Sequence, residues 1–202
     1  EQALAASRAA GSSSAGVISM NLAMISLLRG FPDRAELRFR ESIETYRRSK
    51  SRRLGAAVLN LALTLRDLGR REETLSVLAE AFALLPSTGD EGYLTYALRL
   101  RGDDALQSGE LAPAEATAGE LEALAKSRGD RLPLALSNRL RGELAAVRGD
   151  FSAAQHRFGE ARRQLDEGVA DLPLAHERMD AGLQERGKLL DLARVARRRR
   201  GV

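Results

Sequence analysis

Gly30, Gly69, Gly109 and Gly149 stand 39, 40 and 40 residues apart, and that even spacing leaves few architectures open to the chain. Five residues after each comes a small side chain: Ala35, Thr74, Ala114 and Ala154. A fixed period of about 20 to 50 residues marks arrays in which each unit touches only its neighbours and no single closed core exists. Such arrays offer extended surfaces, but the scaffold does not name what the surface holds.

The register continues on both sides of each glycine. Seven residues before it stand Ala23, Ala62, Gly102 and Gly142; nine after it, Phe39, Leu78, Ala118 and Phe158; twelve after it, Ser42, Ala81, Leu121 and Ala161. Steps of four, three and seven are helical, so each unit reads as two helices around a turn. Glycine suits the left-handed residue that ends a first helix, because it has no Cβ to clash there. The small residues mark points where two antiparallel helices cross closely, since a larger side chain would hold them apart at a cost of about 1–3 kcal/mol.

A turn glycine with small residues seven before and five after it, a large apolar residue nine after and a small one twelve after resembles the tetratricopeptide repeat. The nearest matches are Ala62, Gly69, Thr74, Leu78, Ala81 and Pro86 in one unit and Gly142, Gly149, Asp150, Phe151, Ala154, Phe158 and Ala161 in another. The pattern runs from about Gly16 to Gly168. Its period exceeds the roughly 34 residues of the standard repeat. The aromatic expected two after the glycine is present only as Phe151, with Pro32, Arg71 and Leu111 elsewhere. This long-period form is similar to repeats in bacterial signalling regulators and kinases and in kinesin light chains. The resemblance implies an all-α fold, a right-handed α-solenoid of antiparallel helix pairs; HEAT-like helix pairs are the alternative.

The domain expectation is one repeat domain over 1–202, excised from a larger protein. Residues 1–15 read as the second helix of a truncated repeat. Four helix-pair repeats follow at 16–54, 55–94, 95–134 and 135–170, and capping helices at 171–202. Gly11 to Gly16 reads as a turn. Between units, Ser87 to Asp90, Ser127 to Asp130 and Gly168 to Asp171 end second helices and offer Asp or Ser to begin the next.

Composition narrows the function classes. With no cysteine there is no disulfide framework, thiolate nucleophile or Cys-ligated zinc. Only 4% of residues are aromatic and none is Trp, which suits Ala/Leu helix packing. The longest apolar stretch, Gly16 to Leu28, is broken by Ser19, Asn21 and Ser26 and is too short for a membrane span, so the expected location is cytoplasmic. Arginine outnumbers lysine 29 to 3, a bias of GC-rich bacterial codon usage. The net charge of +4 is matched by Arg197 to Arg200 alone, which leaves the repeats near neutral and argues against nucleic acid as the partner.

Catalytic chemistry finds no candidate, so the chain reads as a non-enzyme without cofactor or metal. Neither a Gly-x-x-x-x-Gly-Lys nor a Gly-x-Gly-x-x-Gly loop is present. His176-Glu177-Arg178-Met179-Asp180 departs from the zinc-protease motif because Asp180 stands where the second histidine belongs. His156 reads as an exposed helix residue. Glu72-Glu73 and Asp103-Asp104 read as carboxylates on solvated faces or near helix starts.

The remaining candidate is a groove. In the tetratricopeptide superhelix that the chain resembles, first helices line the concave side. Nine residues before the turn glycines stand Asn21, Asn60, Leu100 and Leu140, and ten before stand Met20, Leu59, Arg99 and Arg139. An Asn amide both donates and accepts, so Asn21 and Asn60 suit a peptide backbone. Arg99 and Arg139 suit an acidic group. Asp103 and Glu143 follow four residues later, and the competing reading is a self-satisfied i,i+4 pair. With Met24 and Leu63 these form the candidate peptide-binding set. The expected function is an interaction scaffold holding a partner's peptide or helix within a bacterial signalling protein. The alternative is an effector-sensing domain of a bacterial ATP-dependent transcription regulator or kinase, with the groove filled by a small effector or by flanking domains of the same chain.

Overall fold

The computed structural model describes residues 14–88 and 91–170. Among these residues the chain is helical throughout, as four consecutive pairs. They are α1 (Ser14–Leu28) with α2 (Pro32–Arg48), α3 (Leu54–Asp67) with α4 (Arg71–Leu84), α5 (Glu91–Gln107) with α6 (Leu111–Arg128), and α7 (Arg131–Val147) with α8 (Phe151–Ala170). Each helix packs on the next, and first helices also meet, α3 with α5 and α5 with α7. The fold is an all-α solenoid of helical repeats. The readings placed on residues 1–13 and 171–202 lie outside the described residues.

The period is written into the turns. Gly30, Gly69, Gly109 and Gly149 all adopt the left-handed conformation, at φ of 77°, 77°, 73° and 81°. In the first turn Gly30 N donates to Leu27 O and Phe31 N to Ser26 O, both at 2.9 Å. The other three repeat this double closure, with Arg70 N on Leu65 O, Glu110 N on Ala105 O and Asp150 N on Ala145 O. This is the Schellman closure, which satisfies carbonyls at the end of the first helix and sets the chain's exit direction. The junctions between units reuse it. Gly129 (φ 66°) closes α6 with Asp130 N on Ala125 O, and Lys50 (φ 50°) does so after α2 with Ser51 N on Tyr46 O. Asp130 then caps α7 by accepting from Leu132 N at 3.0 Å.

The small residues lie where helices press together. Ala23, Ala62, Ala35 and Ala114 are fully buried, and a Cβ on Gly102 would stand 2.6 Å from Leu140 Cδ2 of the next first helix. On Gly142 it would meet the Phe158 ring at 2.8 Å. The third and fourth pairs begin at Glu91 and Arg131, ahead of the expected 95 and 135, because the connections before them are short. Ser14 to Gly16, read as part of a turn, belong to α1. There Ser42 Oγ donates to Gly16 O at 2.9 Å, and a Cβ at Gly16 would stand 2.6 Å from the Tyr46 ring.

Two features break the repetition. Contact between α4 and α5 is sparse, and the 3-10 turn Leu85–Thr88 fills the junction, with Leu85 buried. At the other end, Phe158 and Leu165 are 41% and 43% exposed, although the same registers in the third unit, Ala118 and Ala125, are 0% and 5% exposed. They line a cleft of about 360 Å³ on α7 and α8. Phe151, the aromatic that supported the family resemblance, is exposed instead of buttressing its turn.

Candidate functional site

α3 meets α5 and α5 meets α7, so groups at matching registers on these first helices share one face, and α1 carries the same registers at the start of the array. Its chemistry changes along the chain. Met20 and Met24 on α1 and Leu63 on α3 are partly buried and pack against the core. Tyr46 Oη lies 3.9 Å from Met20 Sδ. Asn21 is exposed. On α5 and α7 the face is charged, carrying Arg99, Asp103, Arg139 and Glu143.

Two residues expected to meet a ligand are otherwise engaged. Leu59 is 1% exposed and belongs to the core, because its side of α3 turns inward. Asn60 donates Nδ2–H to Ala56 O at 2.9 Å, one turn back in its own helix, which removes a donor from any peptide backbone.

The arginines divide. Arg139 is paired twice: it bonds Glu143 one turn along α7 and reaches across the unit boundary to Asp103 on α5. Burial works against its charge, but Asp103 and Glu143 outweigh that and hold its pKa above the ordinary value. Burial pushes the Glu143 carboxyl up; Arg139 pulls it back, neighbouring Asp103 adds to the rise, and the net is upward. The competing i,i+4 reading therefore applies to Arg139–Glu143. It does not apply to Arg99.

Arg99 forms no ion pair or hydrogen bond among the described residues, and its Nε is sealed from solvent without a partner. Asp103, one turn away, is committed to Arg139. Burial lowers the Arg99 pKa; Asp103 opposes this, while the nearby charges of Arg66 and Arg139 add to it. Its neighbour Arg101 also has a buried nitrogen, Nη2, without a hydrogen-bond partner, but it forms an ion pair with Glu120 at 2.5 Å, donates Nε–H to Thr117 Oγ1 at 3.2 Å and lies 4.9 Å over the Phe82 ring. Thr95, one turn before Arg99, also has a buried hydroxyl without a partner.

Sequence reasoning missed Arg66 and Thr95. Arg66 sits three residues before Gly69, outside the registers compared, and its effect on Arg99 arises only when α3 and α5 abut. Nothing in the sequence distinguishes Thr95 from the other helical threonines. Elsewhere charges are matched: Arg70 with Glu36 at 2.7 Å, Arg71 with Asp104 at 2.9 Å and Arg148 with Glu115 at 3.1 Å. His156 is exposed, as expected. Among the described residues no group of three or more His, Asp or Glu is arranged to hold a metal, and no helix is long and apolar enough to cross a membrane.

No family model matches the chain, and none of the curated proteins matches it.

Proposed function

We propose that this chain is a non-catalytic interaction scaffold whose first-helix face holds a peptide or helix of a partner protein. The observation that supports this most is Arg99, a partly buried cation left uncompensated in a structure that pairs most of its other charges. A group that costs stability and serves no packing partner is expected at a site kept for a ligand. The partly buried Met20, Met24 and Leu63 extend the same face with adaptable apolar surface.

The four like-built turns and the small crossing residues support the resemblance to tetratricopeptide repeats. With that resemblance goes the wider reading: a cytoplasmic module of a larger bacterial signalling or regulatory protein.

The test is affinity capture with the whole chain and two charge-insertion variants. Met24→Glu with Leu63→Glu is expected to abolish capture of a reproducible partner. Gln155→Glu on α8 is expected to leave it intact. Equal loss from both, or loss from neither, places binding elsewhere.

A further inference from the structure

We infer that a cavity walled by α6, α7 and α8 is a second site, separate from the first-helix face, and that it takes a phosphate group between Arg141, Arg148 and Arg157. The cavity holds about 390 Å³. Arg141 on α7, Arg148 just past the end of α7 and Arg157 on α8 line it, with Glu115 of α6 and Asp150 of the turn. Arg141 follows Arg139 by two residues, about 200° round the helix, so the site opens away from the charged groups of the first-helix face.

Comparison of the units shows that packing does not ask for these arginines. They stand eight before, one before and eight after Gly149. In the second unit the same registers hold Leu61, Leu68 and Val77, and Leu61 and Val77 pack into the core. The first unit has Leu22 with Arg29 and Arg38, and the third has Arg101 with Ser108 and Thr117. Arg101 donates to Thr117 at 3.2 Å, so the two outer registers meet across the helix pair. In the fourth unit both are arginine, which sets like charges at a contact position and costs stability until an anion stands between them.

The acids at hand do not absorb the three charges. Glu115 is divided between Arg148 at 3.1 Å and Arg141 at 3.8 Å. Glu122 pairs with Arg141 at 2.7 Å but is shared with Lys126, also at 2.7 Å. Asp150 accepts from Ala153 N at 2.9 Å and so caps α8. Arg157 has no ion pair among the described residues; its hydrogen bond goes to the neutral Oδ1 of Asn138, at 3.1 Å. Guanidiniums arriving from two helices and a turn suit the several oxygens of a tetrahedral phosphate, whereas a planar carboxylate fills one fork.

The test is titration calorimetry of the full chain with inorganic phosphate, phosphoserine and acetate at one fixed ionic strength. Both phosphates are expected to bind and acetate is not. Equal affinity for the two identifies the free ion as the ligand, and tighter binding of phosphoserine identifies an esterified phosphate. Arg157→Met is expected to weaken phosphate binding by about ten- to a hundredfold, the worth of a charge-assisted hydrogen bond. Ala153→Glu keeps all three arginines and adds a carboxylate to the cavity wall in the first turn of α8, where an acid is tolerated, and is expected to weaken binding as much. Arg162→Met, which removes an exposed arginine of the same helix, is expected to leave it within about twofold. No binding of phosphate by the natural chain, acetate bound as tightly as phosphate, or a loss from Arg162→Met equal to that from Arg157→Met would each overturn the assignment.

Discussion

Arg99→Met should make the protein more stable. Methionine keeps an aliphatic stem of similar length while removing a guanidinium that finds no hydrogen-bond partner among the described residues. An unpartnered polar group held from water costs about 1–3 kcal/mol. Of this guanidinium only Nε is both sealed and unpartnered, so the lower end applies and the gain is about 1 kcal/mol. Relief of repulsion from Arg66 and Arg139 acts in the same direction, and the lost attraction to Asp103 opposes it. For a chain of this size, 1 kcal/mol is about 2–4 °C in Tm. Urea unfolding followed by circular dichroism reads the change as a higher midpoint at constant slope. A midpoint lowered by a similar amount would show that Arg99 is a stabilising element of the fold, and the reasoning that makes it a ligand group would fail.

Gly69→Ala, at φ 77° with open space around the added methyl, is expected to destabilise by about 1 kcal/mol through backbone strain alone. Lys50→Gly, at φ 50°, is expected to stabilise by up to about 1 kcal/mol; equilibrium unfolding measures both. Gly102→Ala should cost more than Gly142→Ala. The first meets Leu140, which is 1% exposed and has nowhere to move, while the second meets Phe158, whose half-open ring can swing aside. Overpacking costs about 1–3 kcal/mol against about 1 kcal/mol of helix propensity gained, so Gly142→Ala is expected to come out near neutral. The Glu143 carboxyl is raised in the fold by burial, so just above the ordinary carboxylate range the folded state binds more protons than the unfolded one. Its contribution therefore makes stability fall as pH rises through that window, and Glu143→Gln is expected to flatten this part of the stability curve.

The array was legible in the sequence because its causes are local. A left-handed turn favours glycine, and a close crossing favours a small side chain, so both recur at the period and locate the helices. Asp130 announces the start of α7 in the same way. The candidate face was legible only as a register. Leu59 and Asn60 show the limit, since helix rotation and a bond to Ala56 decide whether a side chain is offered, and neither leaves a trace in spacing. The fate of Asp103 was out of reach for another reason. The sequence places acids one turn from both Arg99 and Arg139, and only the packing of α5 against α7 decides that Arg139 takes Asp103.

Hydrogen exchange of the full chain with and without the partner recovered by affinity capture tests most directly whether the first-helix face is the binding face. The account predicts slowed exchange in α3, α5 and α7, centred on the turn of α5 around Arg99, with α4, α6 and α8 unchanged. Slowing centred on the second helices, or spread evenly over the chain, would contradict it.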